Sequence, residues 1–439
     1  MKIETLILPS FSLAFSQLVG DRMVRNLYWY GLAEFCARVS RLITTIVLAR
    51  TLGATDLGTA AIAITCFELI RVLTNNGISQ MVIRSTPELL AATCNTAHRV
   101  SRLACATICL LQICVGASVG YLCGRADLCA MISSLALVYL LMLPGLIPVY
   151  LLIREARTKE LAAIAVAQVS IDNMLTAAFA IAGFGAWSIV LPKLLTTPVW
   201  LIGVRSCRRW SRDPQAGEIS LRTLIGFSAP ILFTEILFAA RMNLDKLIVW
   251  CVLGVEALGV YYFAFNAGIG LSLALTTALS NSLYPELARL ASQPTQLLRR
   301  YDSLLRLTAL PIAGVILLQA LLSPIYVPFV FGQRWASAAA LVALLCLSAV
   351  TKPFSDSASQ LLRAAGKPDV ELKSVFVLTF VTLAVLTASL THGLTVGVGV
   401  FAVVSLLTQG SFALVARHYA AGPTSPRATS KPAIPRSCL

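Results

Sequence analysis

The chain has 439 residues, of which 57% are apolar and only 13% charged, with a mean hydropathy of +0.81. A soluble domain carries about 25% charged residues, so a water-soluble enzyme or scaffold is excluded. The formal charge of +15 raises nucleic-acid binding, which the placement of the charges then removes.

Apolar residues recur in runs of roughly 20, the length a helix needs to cross a hydrocarbon core of about 30 Å. Strand-length alternating segments are missing from the sequence, which argues against a β-barrel. The fold class expected is therefore an all-α integral membrane protein of about twelve transmembrane helices. The spans fall near 27–51, 57–80, 101–123, 128–153, 160–182, 186–205, 223–252, 256–283, 303–329, 337–362, 374–391 and 394–416.

In chain order, residues 1–23 read as a cytoplasmic extension rather than a signal peptide, with Met23 as an alternative start. Residues 24–206 form an N-lobe of six spans, 207–222 a cytoplasmic linker, 223–417 a C-lobe of six spans, and 418–439 a disordered tail rich in Pro, Ser and Thr. The connections on the opposite side are short turns (LGATDLG, GRADL, AGFGAW, LGVEALG, FGQRW, THG), too small to fold into a domain.

The face carrying both termini holds 25 lysines and arginines against 11 acids, whereas the opposite loops hold Arg125 and Arg334 against Asp56, Asp127 and Glu256. This positive-inside asymmetry places both termini on the cytoplasmic side of the membrane and explains the net charge without nucleic acid. Of the twelve cysteines, Cys36, Cys66, Cys105, Cys109, Cys114, Cys251 and Cys346 lie within spans, and no C-x-x-C pair occurs. They read as small packing residues, so no metal site and no cofactor is expected.

Two of the outer turns share L-G-x-x-x-L-G, at Leu52, Gly53, Leu57, Gly58 and at Leu253, Gly254, Leu258, Gly259. The offset is 201 residues throughout, with a long span before each turn and another after it. Six spans per copy keep the two halves in the same orientation, related by an axis along the membrane normal. Two facing lobes with a central cavity are the layout of an alternating-access transporter.

RNLYWYGLAEFCARVSRLITTIVLARTLGATDLG, from Arg25, resembles the first span of bacterial polysaccharide flippases of the Wzx type. Their superfamily (MOP) also holds MATE multidrug exporters and the lipid II flippase. TNNGISQMVIR, Thr74 to Arg84, is similar to the end of that family's second span, and NLDKLIVWCVLGVEALGVYYFAF to its seventh and eighth. NSLYPELARL from Asn281, FGQRWASAAALVALLCL from Phe331 and LLRAAGKPDV from Leu361 resemble later segments in the family's order, so the likeness covers roughly residues 24–417. The resemblance implies a flippase that moves an undecaprenyl-diphosphate-linked oligosaccharide across the inner membrane. Lipid substrate and membrane lipids are the partners expected, with a polysaccharide polymerase complex as a further candidate. Two additional helices of the lipid II flippase are not found here. Ser40 and Arg41 match that protein's first S-R pair, but Val47 stands near the place of its second arginine, which favours the polysaccharide branch.

Ionisable side chains at mid-bilayer cost about 2.5–3.5 kcal/mol each on insertion scales, so those in the spans must face protein or a wet cavity. Glu34, Arg38, Arg41 and Thr45 are spaced 4, 3 and 4 residues apart and form one stripe of a helix. Two readings compete. In the first, Glu34–Arg38, Arg241–Asp245, Lys352–Asp356 and Glu68–Arg71 neutralise one another along their own helices, and only Arg41 and Lys193 lack such a partner. In the second, Arg38, Arg41, Arg71, Lys193, Arg241 and Lys352 bind the diphosphate through charge-assisted hydrogen bonds. Glu34, Glu68, Asp172, Glu235 and Asp245 are then candidate coupling or ion-pair acids. Prolines at 144, 148, 192, 198, 230, 311 and 353 lie within spans, as kinks or hinges.

A MATE-type drug/cation antiporter is the alternative function on the same fold. A membrane glycosyltransferase, polymerase or ligase is disfavoured, because the outer loops are turns with few charged groups. No G-x-x-x-x-G-K-[ST] loop occurs, so ATP hydrolysis by this chain is not expected.

Overall fold

The structure is a computed structural model describing residues 37, 39–74, 77–270, 276, 283–284, 286–290 and 293–421. Every regular element among them is helical. Without water in the hydrocarbon core, a helix is the one segment that satisfies its own N–H and C=O groups. The chain is an all-α integral membrane protein, and among the described residues ten helical stretches, some running through short breaks between elements, are long and apolar enough to cross a membrane. The first expected span is described only from residue 37, and the expected N-terminal extension (1–23) and the tail beyond 421 lie outside the described residues.

Two compact units are present. The described part of the first comprises residues up to 52 and 63–240; that of the second comprises 53–62 and residues from 241 on. The first unit holds α1 (39–51), the second half of α2 (Ala54–Arg71), α3 (Ile78–Arg84), α4 (Leu90–Cys123), α5 (Ala126–Ser134), α6 (Leu137–Arg154), α7 (Thr158–Ile181) and α8 (Trp187–Cys207). Small residues let its helices approach. A Cβ on Gly116 would meet Ser133 Oγ at 2.5 Å, and one on Gly120 would meet Cys129 Cβ at 2.5 Å, so a G-x-x-x-G face seats α4 on α5. Helix α1 packs through Ser40 and Thr44. The Asn173 amide of α7 donates to Ser40 Oγ (2.9 Å), and the Thr44 hydroxyl donates to the Asn173 carbonyl (2.9 Å). Arg41, one position round from Ser40, is exposed.

Helix α9 (Leu221–Ala267) enters the second unit at residue 241 and breaks at Gly254, where φ is 84°. A positive φ is open to glycine at little cost, and the repeated turn had marked this place as the boundary between the seventh and eighth spans. The unit continues with α10 (Pro294–Leu304), α11 (Leu310–Tyr326), α12 (Ala339–Ala349), α13 (Lys352–Ala364), α14 (Pro368–Ser389) and α15 (Leu394–Ala421). The start of α2 belongs to this unit too, and there the two copies of the repeated turn meet. A Cβ on Gly58 would lie 1.9 Å from the Val255 carbonyl oxygen, and one on Gly259 would lie 1.8 Å from that of Ala54. Both Ala54 and Val255, and Gly58 and Gly259, are 201 residues apart, so the contact is reciprocal.

The expected tenth span is two helices. Pro353 lacks an N–H and its ring crowds the carbonyl four residues back, at Ala349. The chain turns at Val350 and Thr351 and restarts with Pro353 in the first turn of α13, where a proline is tolerated. Pro311 likewise sits in a first turn, after a π-helical turn at Leu305–Ala309, whereas Pro144, Pro148, Pro192 and Pro198 are interior to their helices.

Candidate functional site

The break at Pro353 opens one wall of a cavity of about 130 Å³ inside the second unit. Arg241 and Asp245 reach it from the first part of α9, Tyr261 from the part after Gly254, Lys352 from the start of α13, and Ser405 and Gln409 from α15. The Tyr261 hydroxyl donates to Asp245 Oδ2 at 2.7 Å. Sixteen residues of unbroken helix would span about 24 Å, so this bond exists because Gly254 folds α9 back on itself.

The spacing Arg241–Asp245 predicts an ion pair along α9, and the structure makes a different one. Asp245 faces Lys246 (Nζ to Oδ1, 3.6 Å) besides accepting from Tyr261. Lys246 is itself buried, donates to the Met242 carbonyl at 2.7 Å and lies over the Phe265 ring at 4.7 Å. Asp245 turns toward the returning limb of α9 rather than back along its own turn, and Arg241 is left over. Among the described residues the Arg241 guanidinium makes no hydrogen bond and no ion pair, and Asp356 and Glu371 act on it only electrostatically. Glu371 is held by Arg363 through Nε and Nη2 at 2.8–3.0 Å. Lys352 pairs with Asp356 at 3.5 Å, as its i,i+4 spacing predicts. Gln409 accepts from the Thr351 hydroxyl at 3.4 Å, and the buried Ser405 Oγ has no hydrogen-bond partner among the described residues. The cavity thus presents an unpaired guanidinium, an ammonium shared with one carboxylate, and a free hydroxyl. Five N–H donors in a planar fork suit the oxygens of a phosphate or carboxylate.

None of the remaining described candidates lines this cavity. In the first unit Lys193 of α8 donates to Asp172 of α7 at 2.6 Å. It has no acid on its own helix, and the neighbouring helix supplies one. Arg71 and Glu68 pair at 2.6 Å as expected. Glu235 is half-buried on α9, while Glu34 and Arg38 lie outside the described residues. Sequence reasoning passed over Tyr261, Lys246, Ser405 and Gln409. Lys246 could have been found from its position beside Asp245 in N-L-D-K, but nothing local marks the other three.

Residues 47–340 match the family described as polysaccharide biosynthesis protein. The chain is 21% identical over 360 residues to the lipopolysaccharide biosynthesis protein WzxC of Escherichia coli, covering 80% of this chain and 72% of that one. It is 24% identical over 334 residues to the succinoglycan biosynthesis transport protein ExoT of Rhizobium meliloti, covering 74% and 66%. Its fold is similar to that of the lipid II flippase MurJ in an inward closed conformation (TM-score 0.67, 11% identity, 90% of each chain). It is also similar to an inward-facing multidrug resistance MATE family transporter of the MOP superfamily (TM-score 0.66, 15% identity, 87% of this chain and 94% of that one).

Proposed function

Because this chain belongs to the polysaccharide biosynthesis protein family, we propose that it is a flippase for lipid-linked oligosaccharide repeat units, serving synthesis of a surface polysaccharide. The cargo is an undecaprenyl-diphosphate-linked oligosaccharide, carried across the bacterial inner membrane by alternating access of the lobes at 24–206 and 223–417. The basic face, with both termini, is cytoplasmic. No chemistry on the cargo is assigned to the chain.

The observation that carries this reading is the family match, joined by an unpaired guanidinium in a membrane-embedded cavity. A half-buried cation without a carboxylate partner in a membrane-spanning helix is costly to keep, and an anionic cargo that visits the site gives a reason to keep it. Arg241 binds diphosphate oxygens in a bidentate way and Lys352 adds a point charge. Asp245 is offset by the Lys246 ammonium and hydrogen-bonded by Tyr261, which limits its repulsion of the phosphate. Arg41 is the corresponding candidate contact in the first unit.

Deleting the gene tests the reading. Surface polysaccharide is lost and lipid-linked repeat units accumulate on the cytoplasmic leaflet. Unchanged polysaccharide together with new drug sensitivity overturns it in favour of a MATE-type antiporter.

A further inference from the structure

The polar segment after α8 is built onto the first unit. Asn95 of α4 is buried, and its amide donates to the carbonyls of Asp213 (2.6 Å) and Gly217 (3.0 Å), while its Oδ1 accepts from the Asp213 N–H (3.3 Å). Next to it the buried Thr96 hydroxyl oxygen accepts from the Ile219 N–H at 2.9 Å. This clasp lays Trp210 against His98, ring centroids 5.0 Å apart. Behind the clasp is a cavity of about 270 Å³ into which Arg102 of α4, Arg205 of α8 and Arg212 of the strap project over Leu143 and Ile147 of α6.

The charges here are not balanced. Glu218 takes Arg99 at 2.6 Å and Arg212 at 3.2 Å. Arg102 and Arg205 line the same space with no carboxylate partner among the described residues. From the cavity an exposed apolar stripe of α6 leads away through Pro144, Leu140 and Leu137, at spacings of 4 and 3 residues. Guanidinium pairs bind phosphate in a bidentate way. Basic pockets between transmembrane helices on the positive face bind anionic lipid headgroups, and tryptophan settles at that interface. We propose that this cavity holds the phosphate of an anionic membrane phospholipid, with an acyl chain lying along the α6 stripe. The lipid pins the strap to α4, α6 and α8. This site is separate from the α9 cavity, and its test does not depend on transport.

The full-length protein, extracted from membranes and mixed with equal amounts of phosphatidylglycerol and phosphatidylcholine, is analysed for retained lipid by native mass spectrometry. Wild type retains phosphatidylglycerol over phosphatidylcholine by about tenfold or more, a ratio that one charge-assisted contact sustains. Arg102→Gln/Arg205→Gln brings the two lipids near parity without altering membrane abundance, and Arg102→Lys/Arg205→Lys retains an intermediate preference. An unchanged ratio in the Gln variant, or no preference in wild type, overturns the proposal. Adding undecaprenyl phosphate is the second arm. If it displaces phosphatidylglycerol at a lower concentration, the pocket is a cargo-lipid site and the assignment to bilayer phospholipid fails.

Discussion

Asp172 in the first unit and Asp245 in the second are equally buried, each 8% exposed, yet they dispose of their charge in different ways. Asp172 takes Lys193 from the next helix at 2.6 Å. Asp245 takes Tyr261 and Lys246 from its own folded-back helix. In each case the second carboxylate oxygen, Oδ1, has no hydrogen bond among the described residues. The consequence is that the first unit consumes its mid-span lysine, whereas the second leaves Arg241 available. Counting cations in spans therefore does not identify those that can meet a ligand. What decides is which cation each buried carboxylate has already claimed.

Arg241→Gln is the most severe way to try this contrast. It removes the unclaimed guanidinium and should lower flippase activity tenfold to a hundredfold, read as surface polysaccharide in a deletion strain, with membrane abundance unchanged. That range, about 1.4–2.8 kcal/mol, corresponds to losing one charge-assisted hydrogen bond at about 1.5–3 kcal/mol. Arg241→Lys should recover part of the activity, because a point charge replaces a fork. If Lys193→Gln at normal abundance lost as much activity as Arg241→Gln, the contrast between the units would be broken.

The first unit should answer in stability instead. Asp172→Leu leaves Lys193 without its carboxylate in a nonpolar setting. Breaking a fully buried pair costs about 3–5 kcal/mol. Lys193 is 36% exposed, so about 1–3 kcal/mol is expected here. The thermal midpoint of the purified protein should fall accordingly, and Asp172→Leu/Lys193→Leu should recover most of the loss. A double variant no better than the single one would show that the pair is not what stabilises α7 against α8.

Much of this frame was legible in the sequence, because lipid imposes it locally. Runs of apolar residues mark the spans, Gly254 in the repeated turn marks the break in α9, and Pro353 marks the interruption that places Lys352. Short-range pairs were legible for the same reason: Lys352–Asp356 and Glu68–Arg71 need only helical spacing. Contacts that depend on how helices lie against each other were not. Asp172 and Lys193 are 21 positions apart on different helices, and Tyr261 reaches Asp245 only after the chain has reversed. The clasp of Asn95 on Asp213 and Gly217 spans about 120 positions with no periodicity to announce it. The pairing Arg241–Asp245 shows the converse hazard, since a permitted spacing lost to a tertiary partner.

The Glu68–Arg71 pair gives the smallest effect and the finest discrimination. Arg71 donates through Nε and Nη2 to Glu68 Oε2 at 3.1 and 2.6 Å, and the two side chains are 47% and 34% exposed. Facing water, an i,i+3 pair stabilises by about 0.2–0.5 kcal/mol, less in high salt. Facing lipid, removing one partner would strand a charge in hydrocarbon at about 2.5–3.5 kcal/mol. The α2 face carrying the pair borders a wet space if these cations serve an ionic cargo. Glu68→Gln should then shift the thermal midpoint by a degree or two at most, about what 0.5 kcal/mol does in a protein of this size. A loss several times larger would turn that face toward lipid, and Arg71 would leave the set of cations able to reach a substrate.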